Sequence, residues 1–302
     1  MLERIYFWKG KRGYISPLSA TITICIAVFI LGSGGFAWWY YGVKAPADKK
    51  HELQQLALRK KQSELASIAA FYKKSLTGAG IEQTVGVLGE IRRTTLAMSA
   101  LGIAIKSENF ICDMKSCAFG FKLQPGTILT LPIIDFFGRT YSASIPVSKA
   151  KDKSPRNDFE YARLTLPFTE STLLREWKSN KALTLHSCNN IISYVNSYNS
   201  LLGTAKKSKA LREGIVAFTS YPASPVREAE KHVAGKLKTQ GLMSANWEMQ
   251  INEDNSFFYT RAPEIDAQIA LYKQAYRDAF LIRKIEANDK GIKISGGVVC
   301  KS

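Results

Sequence analysis

Histidine and acidic residues are scarce in this sequence. Its 302 residues hold three histidines, His51, His186 and His232. None belongs to an HExxH or HxE pattern, which excludes the common zinc-hydrolase signatures. No GxSxG elbow and no GxxxxGKS/T loop occurs, so those marks of a hydrolase or a phosphate-binding enzyme are absent. Glu253 and Asp254, beside Asn252, lack the alternating ligand spacing and closing glutamate of a calcium loop and read as a solvated turn. His232 stands on a helix after Glu228, a common surface pair. Gly296-Gly297 marks a bulge or close packing rather than a phosphate cradle. The chain is therefore expected not to be an enzyme, with no catalytic residue, no cofactor and no metal site.

The shortage of acid leaves a basic excess: 42 Lys and Arg against 25 Asp and Glu, a net charge of +17. Arg4, Lys9, Lys11 and Arg12 against Glu3 supply +3 of this, leaving +14 of the +17 to later residues. Such an excess suits lipid headgroups, an acidic protein or a cell-wall polymer, and equally a plain solvated surface. No zinc-finger, glycine-rich RNP or basic-zipper pattern accompanies it, so no nucleic-acid partner is expected.

Charge is missing altogether from residues 18–41, LSATITICIAVFILGSGGFAWWYY. About 20 apolar residues rising ~1.5 Å each cross a hydrocarbon core of ~30 Å. The run predicts one transmembrane helix after a basic cytoplasmic tail, residues 1–17. Trp38, Trp39, Tyr40 and Tyr41 stand where an interfacial aromatic belt would, and Gly32, Gly34 and Gly35 offer a close-approach face. The rival reading is a cleaved signal peptide, whose apolar core runs to about 7–15 residues and ends in a small-x-small site rather than bulky aromatics. Lys44, Lys49 and Lys50 follow the run closely, so loop charge alone does not orient it.

Cysteines break that tie. Cys25 lies inside the apolar run; Cys112, Cys117, Cys188 and Cys300 lie beyond it. Cys112 ends one strand-like run, and Cys117-Ala-Phe-Gly-Phe-Lys-Leu123 opens an alternating one across a short loop. Paired strands place such flanking residues at disulfide separation, giving Cys112–Cys117. Cys188–Cys300 follows by elimination and would tie the C-terminal end to the middle of the domain. A metal site from Cys112, Cys117, His186 and Cys188 is the alternative, with no second CxxC or CxxH knuckle behind it. Disulfides call for an oxidising compartment. The expectation is a single-pass protein of the bacterial inner membrane with its C-terminal domain in the periplasm.

Beyond the membrane, Ala45-Pro46-Ala47 breaks the helix or starts a new one. Residues 45–78 predict a helical stalk, with Leu58, Leu65, Ile68, Tyr72 and Leu76 spaced for a short coiled coil or for a plain amphipathic helix of the domain. Gly78 and Gly80 stop it. Residues 79–204 read as a first α+β region: a helix from Ile81 to about Met98, the cysteine hairpin, a turn at Pro125-Gly126, an exposed connection over 149–158, a strand over Ala162–Leu166 and helical segments from near Thr169. Residues 205–302 read as a second. Its elements are a strand at Ile215–Ser220, then a helix capped by Ser224 with Val226, Ala229, Val233 and Leu237 on its face. Strands at Trp247–Ile251 and Phe257–Thr260 follow, then a helix from Pro263 with Ile265, Ile269, Tyr272 and Tyr276 on one face, and a hairpin of Phe280–Ile285 with Ile292–Val299. That order, βαββαβ plus a strand, is the ferredoxin-like plan, and the fold class is α+β.

The layout of short tail, single membrane helix, stalk and ferredoxin-like domain, with the segment from Pro263 to Cys300, resembles the PilN/PilO inner-membrane components of type IV pilus machines. The type II secretion L and M proteins share the plan, and the larger domain and four cysteines suit a type IVb or plasmid-encoded pilus system. The resemblance implies a non-enzymatic scaffold that pairs with other bitopic inner-membrane proteins as a homo- or heterodimer, linking a cytoplasmic motor to the outer-membrane secretin. Three other readings stand beside it. One is the NTF2-like bitopic component of a type IV secretion (conjugation) channel, which has a strongly curved sheet wrapped around a helix. Another is a ligand-binding or sensor domain. The last is a membrane-anchored enzyme drawing on His186, Ser187, His232, Asp254 and Asp266.

Overall fold

The computed structural model describes residues 17–101, 103, 105–127, 132–146, 158–204, 214–233, 235, 237–252, 262–288 and 291–302. The described chain divides between Ser63 and Glu64 into two units. In the first, helix α1 (Pro17–Trp39) opens on proline, whose missing N–H costs nothing in a first turn. A π-helical turn, Tyr40–Lys44, follows, in which the Ala45 N–H donates to the Tyr40 carbonyl. Helix α2 (Ala45–Leu76) begins directly after it. The break expected at Ala45-Pro46-Ala47 is therefore a π turn. Widening the backbone just before Pro46 removes the clash its ring would make with an α-helical turn. The helix is long and apolar enough to cross a membrane.

The second unit holds the end of α2 and five further α-helices among the described residues: α3 (Ile81–Ala100), α4 (Thr172–Lys178), α5 (Cys188–Thr204), α6 (Arg227–His232) and α7 (Pro263–Tyr272), with a 3₁₀ turn at Arg277–Ala279. Its strands are β1 (Ile105–Cys112), β2 (Ser116–Leu123), β3 (Ile133–Phe136), β4 (Arg139–Ser142), β5 (Asp158–Thr165), β6 (Ile215–Phe218), β7 (Leu242–Asn252), β8 (Phe280–Asn288) and β9 (Gly291–Lys301). Seven of them form one sheet in the order β5-β2-β1-β8-β9-β7-β6, and β3 and β4 make a separate hairpin. Every pairing between named strands is antiparallel. Because β1 pairs with β8, strands from before and after residue 205 share the sheet.

Alternation along the strands sorts side chains to two faces. On one lies the main core: Phe119, Phe121, Phe159, Tyr161, Trp247, Phe280 and Ile294, against Leu88 and Ile91 of α3, Ile191 of α5 and Leu271 of α7. On the other, Leu242, Leu281 and Val299 meet Ile68, Tyr72 and Leu76 of α2 and Leu173 and Leu174 of α4. Burying each such large side chain contributes ~1.5–3 kcal/mol. The stalk pattern therefore divides. Ile68, Tyr72 and Leu76 are spent inside the domain, while Leu53, Leu56 and Leu58 stay exposed.

Several expected details differ. Of the stripe Ile265, Ile269, Tyr272 and Tyr276, Ile265 and Tyr272 are exposed, Tyr276 lies beyond the end of α7 and packs partly buried against the core, and within α7 Glu264, Ala267, Ala270 and Leu271 are the buried residues. Close approach is the reason. A Cβ on Gly89 of α3 would come within 3.3 Å of the Gln268 amide of α7, a spacing that small side chains satisfy. The helix expected from Ser224 reaches only Arg227–His232, with Val226 as its cap and Pro225 in a turn, and Ser224 caps nothing. Its pattern residues Val226 and Val233 are buried all the same. The strand expected at Trp247–Ile251 extends over Leu242–Asn252. Phe257–Thr260, the connection over 149–157 and the basic stretch 205–212 lie outside the described residues. Finally, β6 and β7 are adjacent and antiparallel, whereas a split βαβ unit runs the strands flanking its helix parallel.

Candidate functional site

The C-terminal end of α2 is tied to the domain at several points. A helix leaves its last carbonyls without intrahelical partners, and here a side chain from the sheet takes them. β8 carries a bulge between Ile282 and Lys284, which re-aims Arg283. Its guanidinium donates to the carbonyls of Lys74 (3.1 Å), Ser75 (3.1 Å) and Thr77 (3.0 Å) and to Asn246 Oδ1 (3.3 Å). Burial lowers the Arg283 pKa from its usual value. Room for the guanidinium comes from Gly297, where a Cβ would lie 2.5 Å from an Arg283 nitrogen. Gly296 brings β9 against the backbone of Leu281, 1.9 Å from where a Cβ would stand. Both glycines thus serve close packing.

Two more ties complete the root of α2. Ser171 donates to the Leu76 carbonyl (2.8 Å) and caps α4 by accepting from the Leu174 N–H. Tyr72, fully buried, donates to Glu230 Oε1 at 2.7 Å, and the Gly241 N–H donates to Glu230 Oε2 at 3.1 Å. Burial first, then Glu230, pushes the Tyr72 pKa well up. After the helix, Gly78 packs so tightly on Leu281 that a Cβ would sit 2.6 Å from the Leu281 Cβ, and Ala79 bridges to Ile282 by two backbone hydrogen bonds.

Beside this root opens a cleft of about 570 Å³ between the start of α3, the segment 169–176 and the turn at Arg277-Asp278. Glu82, Glu170, Glu176 and Asp278 line it with Arg175 and Arg277. Several of these groups are engaged already: Glu170 with Lys178, Asp278 with His186 (3.1 Å), Arg277 with the Tyr272 carbonyl (2.7 Å). The Gln83 amide donates to Thr169 across the cleft. Four carboxylates against two guanidinium groups give the lining an acidic excess on a wall of mixed polar and apolar surface. It presents no nucleophile joined to a base.

At both edges of the sheet some backbone groups are already engaged. At β6 the Asn199 amide donates to the Val216 carbonyl (2.7 Å) and accepts from its N–H (3.0 Å). At β5, Ser144 exchanges two backbone hydrogen bonds with Glu160, 2.7 and 2.8 Å, and the Tyr141 hydroxyl accepts from the Thr165 N–H. At Val216, Glu160 and Thr165 the groups a strand-adding partner would use are occupied. What stays open is the polar part of the second sheet face, where Lys293 pairs with Glu248 (2.7 Å) and Lys284 with Glu286 (2.6 Å) around the exposed Ile111.

No known protein family, curated protein or solved structure matches this chain. Its own geometry places the residues singled out in the sequence. Cys112 and Cys117 face each other across the β1–β2 hairpin with their sulfurs 1.98 Å apart, and Cys188 and Cys300 are joined at 2.03 Å. Ser187 bridges to Lys301 beside the second pair. The zinc alternative would need Cys112, Cys117 and Cys188 as thiolates, and all three are disulfide-bonded. Cys25 is free and exposed on α1. Trp38, Trp39, Tyr40 and Tyr41 are exposed too; Phe36 stacks on Tyr40, and Lys44 lies 5.6 Å over the Trp39 ring. Of the residues weighed for catalysis, His186 turns to Asp278 and His232 to Glu64 (3.2 Å). Asp266 sits on α7, and Asp254 lies outside the described residues. Arg283, Glu230 and Asn199 carry no mark of their roles in the sequence, since each acts on a backbone or side chain remote from it along the chain.

Proposed function

We propose that this chain is a non-enzymatic, membrane-anchored scaffold of an envelope-spanning pilus or secretion assembly, of the PilN/PilO kind, with its α+β domain in the periplasm. One observation carries the reading: an apolar helix long enough for a bilayer precedes a domain whose four cysteines are joined in two pairs, and paired cysteines belong to oxidising compartments. The root of α2 supports it as well. A helix end held by Arg283, Ser171 and Tyr72 is built to bear load rather than to open. The engaged groups at Val216, Glu160 and Thr165 disfavour strand addition and direct the partner to the open sheet face or to the exposed Leu53, Leu56 and Leu58 of α2, where coiled-coil pairing would take place. Anchoring in one plane raises the effective concentration of two such chains.

A second reading rests on the bulges between Ile105 and Ser107, Cys117 and Phe119, and Ile282 and Lys284. Each bends its strand, and a sheet curved around a helix is what the NTF2-like conjugation-channel alternative requires.

Crosslinking in intact membranes, followed by capture of the full chain and identification of its partners, tests the proposal. Recovery of another single-pass inner-membrane protein of a pilus or secretion system is the expected result; recovery of conjugation-channel subunits selects the second reading. A strictly solitary chain defeats both. On a non-reducing gel the chain from the cell should run faster than after reduction, and thiols freely labelled in cells would remove the periplasmic assignment.

A further inference from the structure

A concave patch away from the cleft has a different character. Between α6, the start of β7 and the end of β9 lies a recess of about 460 Å³ lined by Arg227, Lys231, Lys238 and Lys301, with Gln240, Gly241 and the buried Glu230. Lys231 is paired with Glu228 at 2.7 Å. Among the described residues, no carboxylate lies at ion-pair distance from Arg227, Lys238 or Lys301. The recess carboxylate, Glu230, is turned inward and held by the Tyr72 hydroxyl and the Gly241 N–H. Cations gathered on one concave wall repel one another; Glu228 lies near enough to Arg227 to offset it in part, and among the described residues Lys238 and Lys301 have no ion-pair partner. A planar guanidinium with flanking ammonium groups matches the oxygens of a phosphate.

We propose that this recess is a binding site for a phosphate-class polyvalent anion, either soluble or carried on a lipid headgroup. Arg227, Lys231, Lys238 and Lys301 would supply its cationic lining. The site goes beyond the scaffold reading and does not depend on it. Its link to the rest of the domain is Glu230, whose other contact is Tyr72 of α2. An occupied recess would therefore stabilise the region in which α2 is rooted.

The test uses the full chain in nanodiscs of phosphatidylcholine, at constant ionic strength in chloride, with inorganic pyrophosphate as the probe. Pyrophosphate should raise the unfolding midpoint of the wild-type chain in a saturable way. The double variant Arg227→Ala/Lys301→Ala should bind roughly ten-fold or more weakly, as losing two charge-assisted contacts implies. The control variant Lys49→Ala/Lys50→Ala should respond as wild type. Both altered pairs are solvent-exposed, and the charge-swapped Lys301→Glu, with the same expected loss, guards against a folding artefact. In nanodiscs containing phosphatidylglycerol, loss of the pyrophosphate response would assign the site to a lipid headgroup, and an unchanged response to a soluble anion. A midpoint that does not move in either lipid, or moves equally in the double variant, overturns the proposal.

Discussion

The side chain of Asn199 makes with Val216 the pair of hydrogen bonds that a further β-strand would make: its Nδ2 donates to the carbonyl at 2.7 Å and its Oδ1 accepts from the N–H at 3.0 Å. α5 thereby ends the sheet at β6 with one residue in place of a strand. Exposed edges invite pairing with other chains, so the amide has two consequences, one for stability and one for association.

Asn199→Ala leaves a carbonyl and an N–H of β6 unsatisfied. The expected cost is about 1–3 kcal/mol, read from urea unfolding of the full chain in detergent. The variant should also self-associate in light scattering at concentrations where the wild type does not. Asn199→Asp should keep the bond from the Val216 N–H and lose the donated one, giving an intermediate result. A variant as stable and as dispersed as wild type would show that the edge is closed by something else.

The root of α2 gives a second prediction. Arg283 serves three carbonyls and Asn246 at once, through a fork that lysine cannot reproduce. Arg283→Lys is expected to destabilise by about 2–3 kcal/mol, since hydrogen bonds to charged groups are worth ~1.5–3 kcal/mol each. Protease cleavage of the Thr77–Gly80 connection should accelerate in parallel. If Lys replaces Arg with no change in either measurement, the helix end is held by Ser171 and Tyr72 alone.

How far these features were legible in the sequence follows from the distance between partners. The apolar span and the Cys112–Cys117 hairpin are local, so hydropathy and alternation reveal them. The Asn199–Val216 plug is a matter of 17 residues, the Tyr72–Glu230 contact of 158, and Arg283 reaches Thr77 over 206. No residue in these pairs carries a local mark of its role. α7 failed for another reason. Periodicity locates a stripe of bulky apolar residues at Ile265, Ile269, Tyr272 and Tyr276, but cannot tell that the helix stops at Tyr272 and that a close helix contact selects the small-residue face of Ala267 and Ala270. The long-range order of the sheet was equally out of reach, because antiparallel pairing of β1 with β8 joins segments more than half the chain apart.

Alkaline pH should loosen the domain. Burial pushes the Tyr161 hydroxyl up from 10.0 to about 12, and it raises Tyr72 and Tyr198 in the same direction. A pKa raised on folding means that the folded state holds its proton more tightly. Stability is then complete below the unfolded value of 10 and falls as pH rises through the folded one. The unfolding free energy should be flat from neutrality to about pH 10 and decline between 10 and 12. Tyr72→Phe should cost about 1–2 kcal/mol at neutral pH through the lost bond to Glu230. Its gap from wild type should narrow above pH 10, because the variant has one fewer tyrosine to titrate. A gap independent of pH would mean that Tyr72 ionises alike in both states.

The two disulfides should differ in worth. A crosslink limits the unfolded chain by an amount that grows with the loop it closes. Cys112–Cys117 spans a sequence separation of 5, and Cys188–Cys300 one of 112. The loop-entropy estimate gives about 2 kcal/mol for the short bridge and nearly 5 kcal/mol for the long one. Cys188→Ser/Cys300→Ser should accordingly lower the urea midpoint more than Cys112→Ser/Cys117→Ser. The long bridge also fastens the last strand to the start of α5, beside the Ser187–Lys301 bridge. Hydrogen exchange should therefore rise along the end of β9 in the first variant, and at the β1–β2 turn in the second. Equal losses in the two variants, or a larger one for the short bridge, would show that local packing of the buried Cys112 and Cys117 outweighs loop entropy.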